Sequence, residues 1–225
     1  MISLVNAGFG YGSEPILRDV TQELPAGSFH FLTGPSGAGK TTFLKMCYLA
    51  LRPQSGKISV FGQDISQLPR NQVSNMRRKI GVVHQDCQFL DHLTVQENIA
   101  LPLNVSGRSV SDNVDNLEDL LNWVGMNHRA KAYPDQLSGG ERQRLALARA
   151  VIMSPDMIIA DEPTGNVDWE MAQRLLTLLI ELNKMGKTIL LATHDLSLIR
   201  AAKGQVSARV LRLKNGQMQL AGAEL

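Results

Sequence analysis

Only two cysteines occur in 225 residues, Cys47 and Cys87, and neither sits in a C-x-x-C or similar ligand spacing. That excludes a disulfide framework and a cysteine metal centre, and leaves two reduced thiols. No segment reaches the ~18 consecutive apolar residues that cross a bilayer. The first residues, Met1 to Asn6, lack the basic start and long apolar stretch of a secretion signal. The sequence therefore predicts a cytoplasmic protein that meets a membrane only through a partner. Excess charge is missing too: 23 basic against 21 acidic side chains give +2. So even a balance offers no global field for nucleic acid, and no direct nucleic-acid binding is expected. Internal repeats, low-complexity stretches and sustained heptads are absent, which excludes solenoids and coiled-coil arms.

What is present is a core-building composition, 44% hydrophobic and 20% charged, enough for one large folded unit. Four short apolar runs punctuate it: Phe29-His30-Phe31-Leu32, Ile80-Gly81-Val82-Val83, Met157-Ile158-Ile159-Ala160 and Ile189-Leu190-Leu191-Ala192. Such runs suit strands of a parallel sheet covered on both faces, and the helical patterns between them predict an α/β fold. Residues 2–6, 16–24 and 57–61 read as strands of a small antiparallel layer around the turn-rich Gly8 to Gly12. Residues 86–153 read as helical. Thr94 and Glu97 resemble a capping box, and Leu117, Leu120, Leu121 and Val124 share one face before Gly125.

Polar residues follow each apolar run, as ligand-binding residues do at the carboxyl edge of an open parallel sheet. After the first run come Gly34, Pro35, Ser36, Gly37, Ala38, Gly39, Lys40 and Thr41, which fit G-x-x-x-x-G-K-[ST], with Thr42 opening the next helix. Glycines turn backbone N–H groups towards phosphates and the helix adds its positive end. Lys40 would reach the β- and γ-phosphates of ATP and the Thr41 hydroxyl would bind Mg²⁺. Asp161, ending the third run, is suited to hold Mg²⁺, and Glu162 to polarise an attacking water. Gln85 and His194 stand after the second and fourth runs. Either would be unremarkable alone; their place in the ordered set is what marks them.

A second motif, Leu137-Ser138-Gly139-Gly140-Glu141-Arg142-Gln143, can start a helix, with Ser138 and Glu141 as its capping box. Its two glycines also leave the helix N-terminus open to a phosphate. The following helix, running to about Met153, spans about 20 Å. The motif thus lies remote from the chain's own phosphate loop, which predicts that it serves the γ-phosphate of a second molecule in an ATP-dependent homodimer.

This ordered set, Gly34–Thr41, Gln85, Leu137–Gln143, Asp161-Glu162 and His194, resembles the ABC ATPase family across residues 2 to about 220. The resemblance implies a RecA-like P-loop core, mainly 31–85 and 154–225, with an antiparallel β subdomain, mainly 1–30 and 56–62, and an inserted α-helical subdomain, 86–153. It implies that Glu162 is the catalytic base and that His194 contacts the γ-phosphate. Gln85 would link Mg²⁺ and the attacking water to a transmembrane partner, and Asp168 in Gly165-Asn166-Val167-Asp168 would face the other protomer. Tyr11 would stack on adenine, with a structural aromatic role and the neighbour Phe9 as alternatives. Signature residues Ser138, Gly139, Gly140 and Glu141 would act in trans. Within the family the motifs are most similar to a cell-division branch, with lipoprotein-release and macrolide-export cassettes close by. That places the chain peripherally on the cytoplasmic face of the inner membrane, with a permease-like integral membrane partner. A soluble cofactor-assembly ATPase is the alternative. Phe89, Leu90 and Leu93 are candidates for partner docking or for core packing.

Overall fold

The computed structural model describes residues 1–109, 113–165 and 167–220. Two sheets organise it. The first has order β2-β1-β4-β5 and is antiparallel, built from β1 (Ile2–Tyr11), β2 (Glu14–Leu24), β4 (Ser55–Val60) and β5 (Gln63–Asp64). The second has order β10-β9-β3-β8-β7-β6. It comprises β3 (Phe29–Thr33), β6 (Ile80–Val83), β7 (Met157–Asp161), β8 (Thr188–Ala192), β9 (Ala208–Lys214) and β10 (Gln217–Leu220). Its five strands β9 to β6 run parallel and β10 closes one edge antiparallel.

The four apolar runs are the strands β3, β6, β7 and β8, and their alternation explains why both faces are apolar. Leu32, Met157, Ile159, Leu190 and Ala192 face a core shared with the antiparallel sheet and with α1 (Lys40–Cys47) and α2 (Arg70–Arg77). Phe29, Phe31, Ile158, Ala160, Ile189 and Leu191 face the opposite core, roofed by α6 (Trp169–Lys184) and α7 (Leu196–Lys203). Burying a side chain of this size contributes about 1.5–3 kcal/mol, so neither face can be given to water.

Between β6 and β7 the described chain is helical: α3 (Val95–Val105), α4 (Val114–Trp123) and α5 (Gly139–Val151), with short 3-10 turns at Asn127–Arg129 and Pro134–Gln136. Val95, Ile99, Leu121, Val124, Leu145 and Ala148 form a third core there. Helix α5 belongs to two cores at once, because Ala146, Leu147 and Val151 on its other side pack beneath the parallel sheet.

Two local expectations change. Gly8 to Tyr11 is strand and not turn. A Cβ on Gly10 would stand 2.3 Å from the Glu14 carbonyl oxygen, so glycine there permits a close, bulged pairing of β1 with β2. Helix α2 was not expected, its short run of eight residues holding only Val73 and Met76 buried. The capping boxes at Thr94/Glu97 and Ser138/Glu141 both form, and Gly125 takes φ 65° just after α4.

Asn98 is the most committed polar residue of the helical region. It is fully buried on α3, and its Nδ2 donates to the carbonyls of Leu90 (3.1 Å), Leu93 (2.9 Å) and Thr94 (3.1 Å), while Oδ1 accepts from Leu90 N–H at 3.0 Å. It thereby fixes the segment 90–94 to the helix. Asn98→Ala removes the side-chain partner of Leu90 N–H and of the Leu93 carbonyl, while the Leu90 and Thr94 carbonyls keep their bonds from Leu93 N–H and Asn98 N–H, and should destabilise the protein by about 2–4 kcal/mol. Chemical denaturation checks this, and hydrogen exchange should rise first in residues 88–94.

Candidate functional site

The glycine loop connects the end of β3 to α1 and needs glycine for two distinct reasons. A Cβ on Gly34 would lie 2.3 Å from the Leu213 carbonyl oxygen, so the loop can leave the sheet beside β9 only without a side chain. Gly39 adopts φ 100°, and a Cβ there would press within 2.9 Å of Ile16 and 3.0 Å of Leu17. Lys40 folds back over the loop, its Nζ donating to the Gly34 (2.9 Å) and Pro35 (3.3 Å) carbonyls. The side chain is thus held over the concavity that the loop encloses.

Across from it, Thr41 Oγ1 donates to Asp161 Oδ2 at 2.8 Å, joining α1 to the end of β7. Burial at the strand end pushes the Asp161 carboxyl above its usual range. The hydrogen bond from Thr41 acts against that push, and the neighbouring Glu162 charge adds to it. A cation between these oxygens would relieve the same penalty.

Glu162 sits at φ 47°, in the left-handed region that a non-glycine residue occupies only under restraint. The restraint is visible: its N–H bonds the Ala192 carbonyl at 2.9 Å, extending the β7–β8 ladder by one residue. That backbone turns its side chain inward. Oε1 meets Nδ1 of the exposed His194 at 2.9 Å, and Oε2 is buried with no protein partner. A buried carboxylate oxygen lacking a partner is costly.

These groups converge on one cavity of about 690 Å³, lined by Gly34 through Thr42 together with Gln85, Asp161, Glu162, Gly165 and His194. Gly165 is the lining residue that sequence reasoning did not single out as a site. Among the described residues no three His, Cys, Asp or Glu side chains cluster as a metal cage. That suits Mg²⁺, which uses one or two protein oxygens and completes its shell with phosphates and water. Thr41 Oγ1, Asp161 and the Gln85 amide are hard oxygen donors of this kind.

Other predicted residues stand elsewhere. Tyr11 is exposed at the end of β1, edge-on to Phe9 with ring centroids 5.1 Å apart, and does not line the cavity. Ser138 to Glu141 form the start of α5, also outside the cavity. Asp168 caps α6 by accepting from Met171 N–H at 2.8 Å. Asn166 lies outside the described residues. Of the docking candidates, Phe89 is half-buried between the cores, with the Arg142 and Arg149 guanidinium groups 5.2 and 4.7 Å from its ring centroid, whereas Leu90 is exposed.

A phosphate-shaped glycine loop, an adjacent hydroxyl–carboxylate pair and a restrained carboxylate with an unpartnered oxygen, all at the carboxyl edge of a parallel sheet, define a P-loop nucleotide triphosphatase. The ABC transporter family model matches residues 17–165. The cell division ATP-binding protein FtsE of Escherichia coli strain K12 is 42% identical over 207 residues, covering 92% of this chain and 91% of that protein. FtsE of Bacillus subtilis strain 168 is 40% identical over 192 residues, with 85% and 84% covered. Among solved structures, the ATP-binding cassette MJ0796, dimeric in a post-hydrolysis state with ADP and Pi, superposes at TM-score 0.87, with 31% identity and 98% of both chains covered. The chain belongs to the ABC transporter family, and it is an ATP-binding cassette that hydrolyses ATP.

Lys40→Ala should abolish ATP binding or turnover while shifting thermal stability little, because the lysine bonds only loop carbonyls here. Nucleotide titration beside a melting curve checks both halves of that expectation.

Proposed function

We propose that this cassette works as a head-to-tail homodimer that couples ATP hydrolysis to an integral membrane partner of the FtsX kind, in cell division. The observation that carries this reading is the separation of the two halves of the site. The loop, Asp161, Glu162 and His194 share one cavity, while the exposed Ser138 and its two glycines stand apart at the start of α5. In the dimer the exposed start of α5 is completed by the γ-phosphate held on a second copy. The relatives named for cell division and the dimeric cassette support the same assembly.

In this reading residues 34–42 cradle the phosphates, with Lys40 neutralising charge at the β- and γ-positions. Thr41, Asp161 and Gln85 would hold Mg²⁺, which when bound neutralises charge on the phosphate oxygens. Glu162 accepts the proton of the attacking water, and His194 steadies Oε1 and reaches towards the γ-phosphate. Asp168 faces the other protomer. Tyr11 supplies an adenine platform, its edge-on contact with Phe9 leaving a ring face free. Residues 86–153 act as a helical subdomain attached to a core drawn mainly from 31–85 and 154–225 and to a layer drawn mainly from 1–30 and 56–62.

The partner meets the chain beside the Gln85 loop. That loop is tied to α5, because Cys87 O accepts from Arg142 at 3.4 Å and Phe89 lies under Arg142 and Arg149. A push on residues 86–94 is therefore felt at the helix that presents Ser138. No helix among the described residues is long and apolar enough to cross a membrane.

Glu162→Gln should keep ATP and accumulate dimer, since binding survives while water activation is lost. Ser138→Arg should bind ATP as a monomer yet not hydrolyse it. Light scattering at saturating ATP reads both, and a monomeric Glu162→Gln protein overturns the composite site. Affinity purification from detergent-solubilised membranes should recover one integral membrane protein with this chain. Purely soluble recovery with a non-membrane complex would favour a cofactor-assembly role instead.

A further inference from the structure

The signature carries an acid where its chemistry demands an anion receptor. Glu141 is buried at the start of α5, and its Oε2 accepts from both Ser138 N–H and Ser138 Oγ at 2.8 Å. The hydroxyl proton that a γ-phosphate oxygen would need is thus already directed at a carboxylate. A fixed negative charge also stands within one hydrogen bond of the place where that phosphate arrives. Uncompensated, it would oppose nucleotide-driven dimerisation, because like charges brought together across an interface cost several kcal/mol.

The compensation comes from outside the motif. Arg129, at the end of the 3-10 turn Asn127–Arg129, donates from Nε to Glu141 Oε1 at 2.9 Å, with its side chain 43% exposed against 11% for Glu141. Arg144 on α5 adds a more distant positive charge and spends its own Nη1 on the Val124 and Gly125 carbonyls. Burial disfavours the Glu141 charge, but the Ser138 hydrogen bonds and Arg129 outweigh it and hold the carboxyl down at about 2, so the charge is permanent at neutral pH.

We infer that Arg129 is a positioning residue of the ATPase: by holding and neutralising Glu141, it lets the Ser138 end of α5 accept the γ-phosphate bound to a second copy. This rests on the in-trans reading above. Arg129 touches no nucleotide; it sets the charge and orientation of the group that does.

The test is the ATPase rate of the full chain against ATP concentration. Arg129→Gln, which keeps a polar side chain but loses the charge, should raise the ATP concentration for half-maximal rate roughly tenfold, or about 1.4 kcal/mol. Its saturated rate should stay within about twofold, because chemistry is untouched once the dimer closes. Arg129→Lys should stay within about threefold of the parent, since the charge remains. In a Glu141→Gln background there is no charge left to neutralise, so adding Arg129→Gln should change the half-maximal concentration by less than about twofold. A purely structural brace would lose function in both backgrounds. An unchanged half-maximal concentration in Arg129→Gln overturns the assignment, as does a full tenfold loss that persists beside Glu141→Gln. Should Arg129→Gln alone lower the melting temperature, the comparison within the Glu141→Gln background still decides. Ser138→Arg separates the two levels: if it hydrolyses ATP at the parental rate, the in-trans reading itself is what fails.

Discussion

The parallel ladder β3–β8–β7–β6 is the constraint on which the site depends. Its register sets Leu32 beside Ala192, Ala192 beside Asp161 and Ala160 beside Val83. Four strands from widely separated parts of the chain therefore end at the same level. Each delivers its next polar residues to one edge: the glycine loop, His194, Asp161 with Glu162, and Gln85. Two hydrogen bonds carry the register beyond the strands themselves. Glu162 N–H to Ala192 O continues the ladder into the strained turn, and Thr41 Oγ1 to Asp161 Oδ2 ties the loop's helix back to β7. Glu162 tolerates a positive φ because the ladder on one side and His194 on the other over-determine it.

Much of this was readable from residue order. Strands buried on both faces announce themselves as short continuous apolar runs, and a site at a sheet edge announces itself as polar residues that follow those runs directly. The Ser138/Glu141 and Thr94/Glu97 boxes were readable because capping is local. What escaped notice depends on distant contacts. Gly8 and Gly10 look like turn residues, yet they serve a strand, because their missing Cβ atoms admit Ser55 and Glu14 from neighbouring segments. Helix α2 carries too few apolar positions to show a period. Arg129 lies nine residues before Ser138 with nothing in its own surroundings to distinguish it, and only the folded turn brings it to Glu141. The hairpin β9–β10 was also missed, although its carbonyl at Leu213 is what forces glycine at position 34.

Tyr11 shows the opposite case, a residue whose assigned role came from resemblance alone. Its ring rests edge-on against Phe9, an arrangement worth about 0.5–1.5 kcal/mol beyond burial alone. Stacking on a base offers gains of the same order. The edge contact leaves a face of the ring free, so its orientation here does not bar it from a nucleotide.

Helix α5 turns a static site into one that can transmit force. One side of it, through Leu145 and Ala148, belongs to the helical core; the other, through Ala146, Leu147 and Val151, is buried under the parallel sheet. Its N-terminus presents Ser138, and Gly140 packs so closely against Met171 that a Cβ would come within 3.0 Å of that side chain. Met171 N–H is in turn capped by Asp168, at the end of the loop that leaves Glu162. Close-packed elements of this kind shift as units and do not deform smoothly. A displacement of the Gln85 loop, gripped by Arg142 and Arg149, thus reaches Ser138 along α5 and reaches the loop after Glu162 through Met171. Ser138 and the loop after Glu162 are thus joined by packing within one chain, although in the proposed dimer each would serve a different nucleotide. In that dimer, closing one composite site would bias the other through the packing of α5.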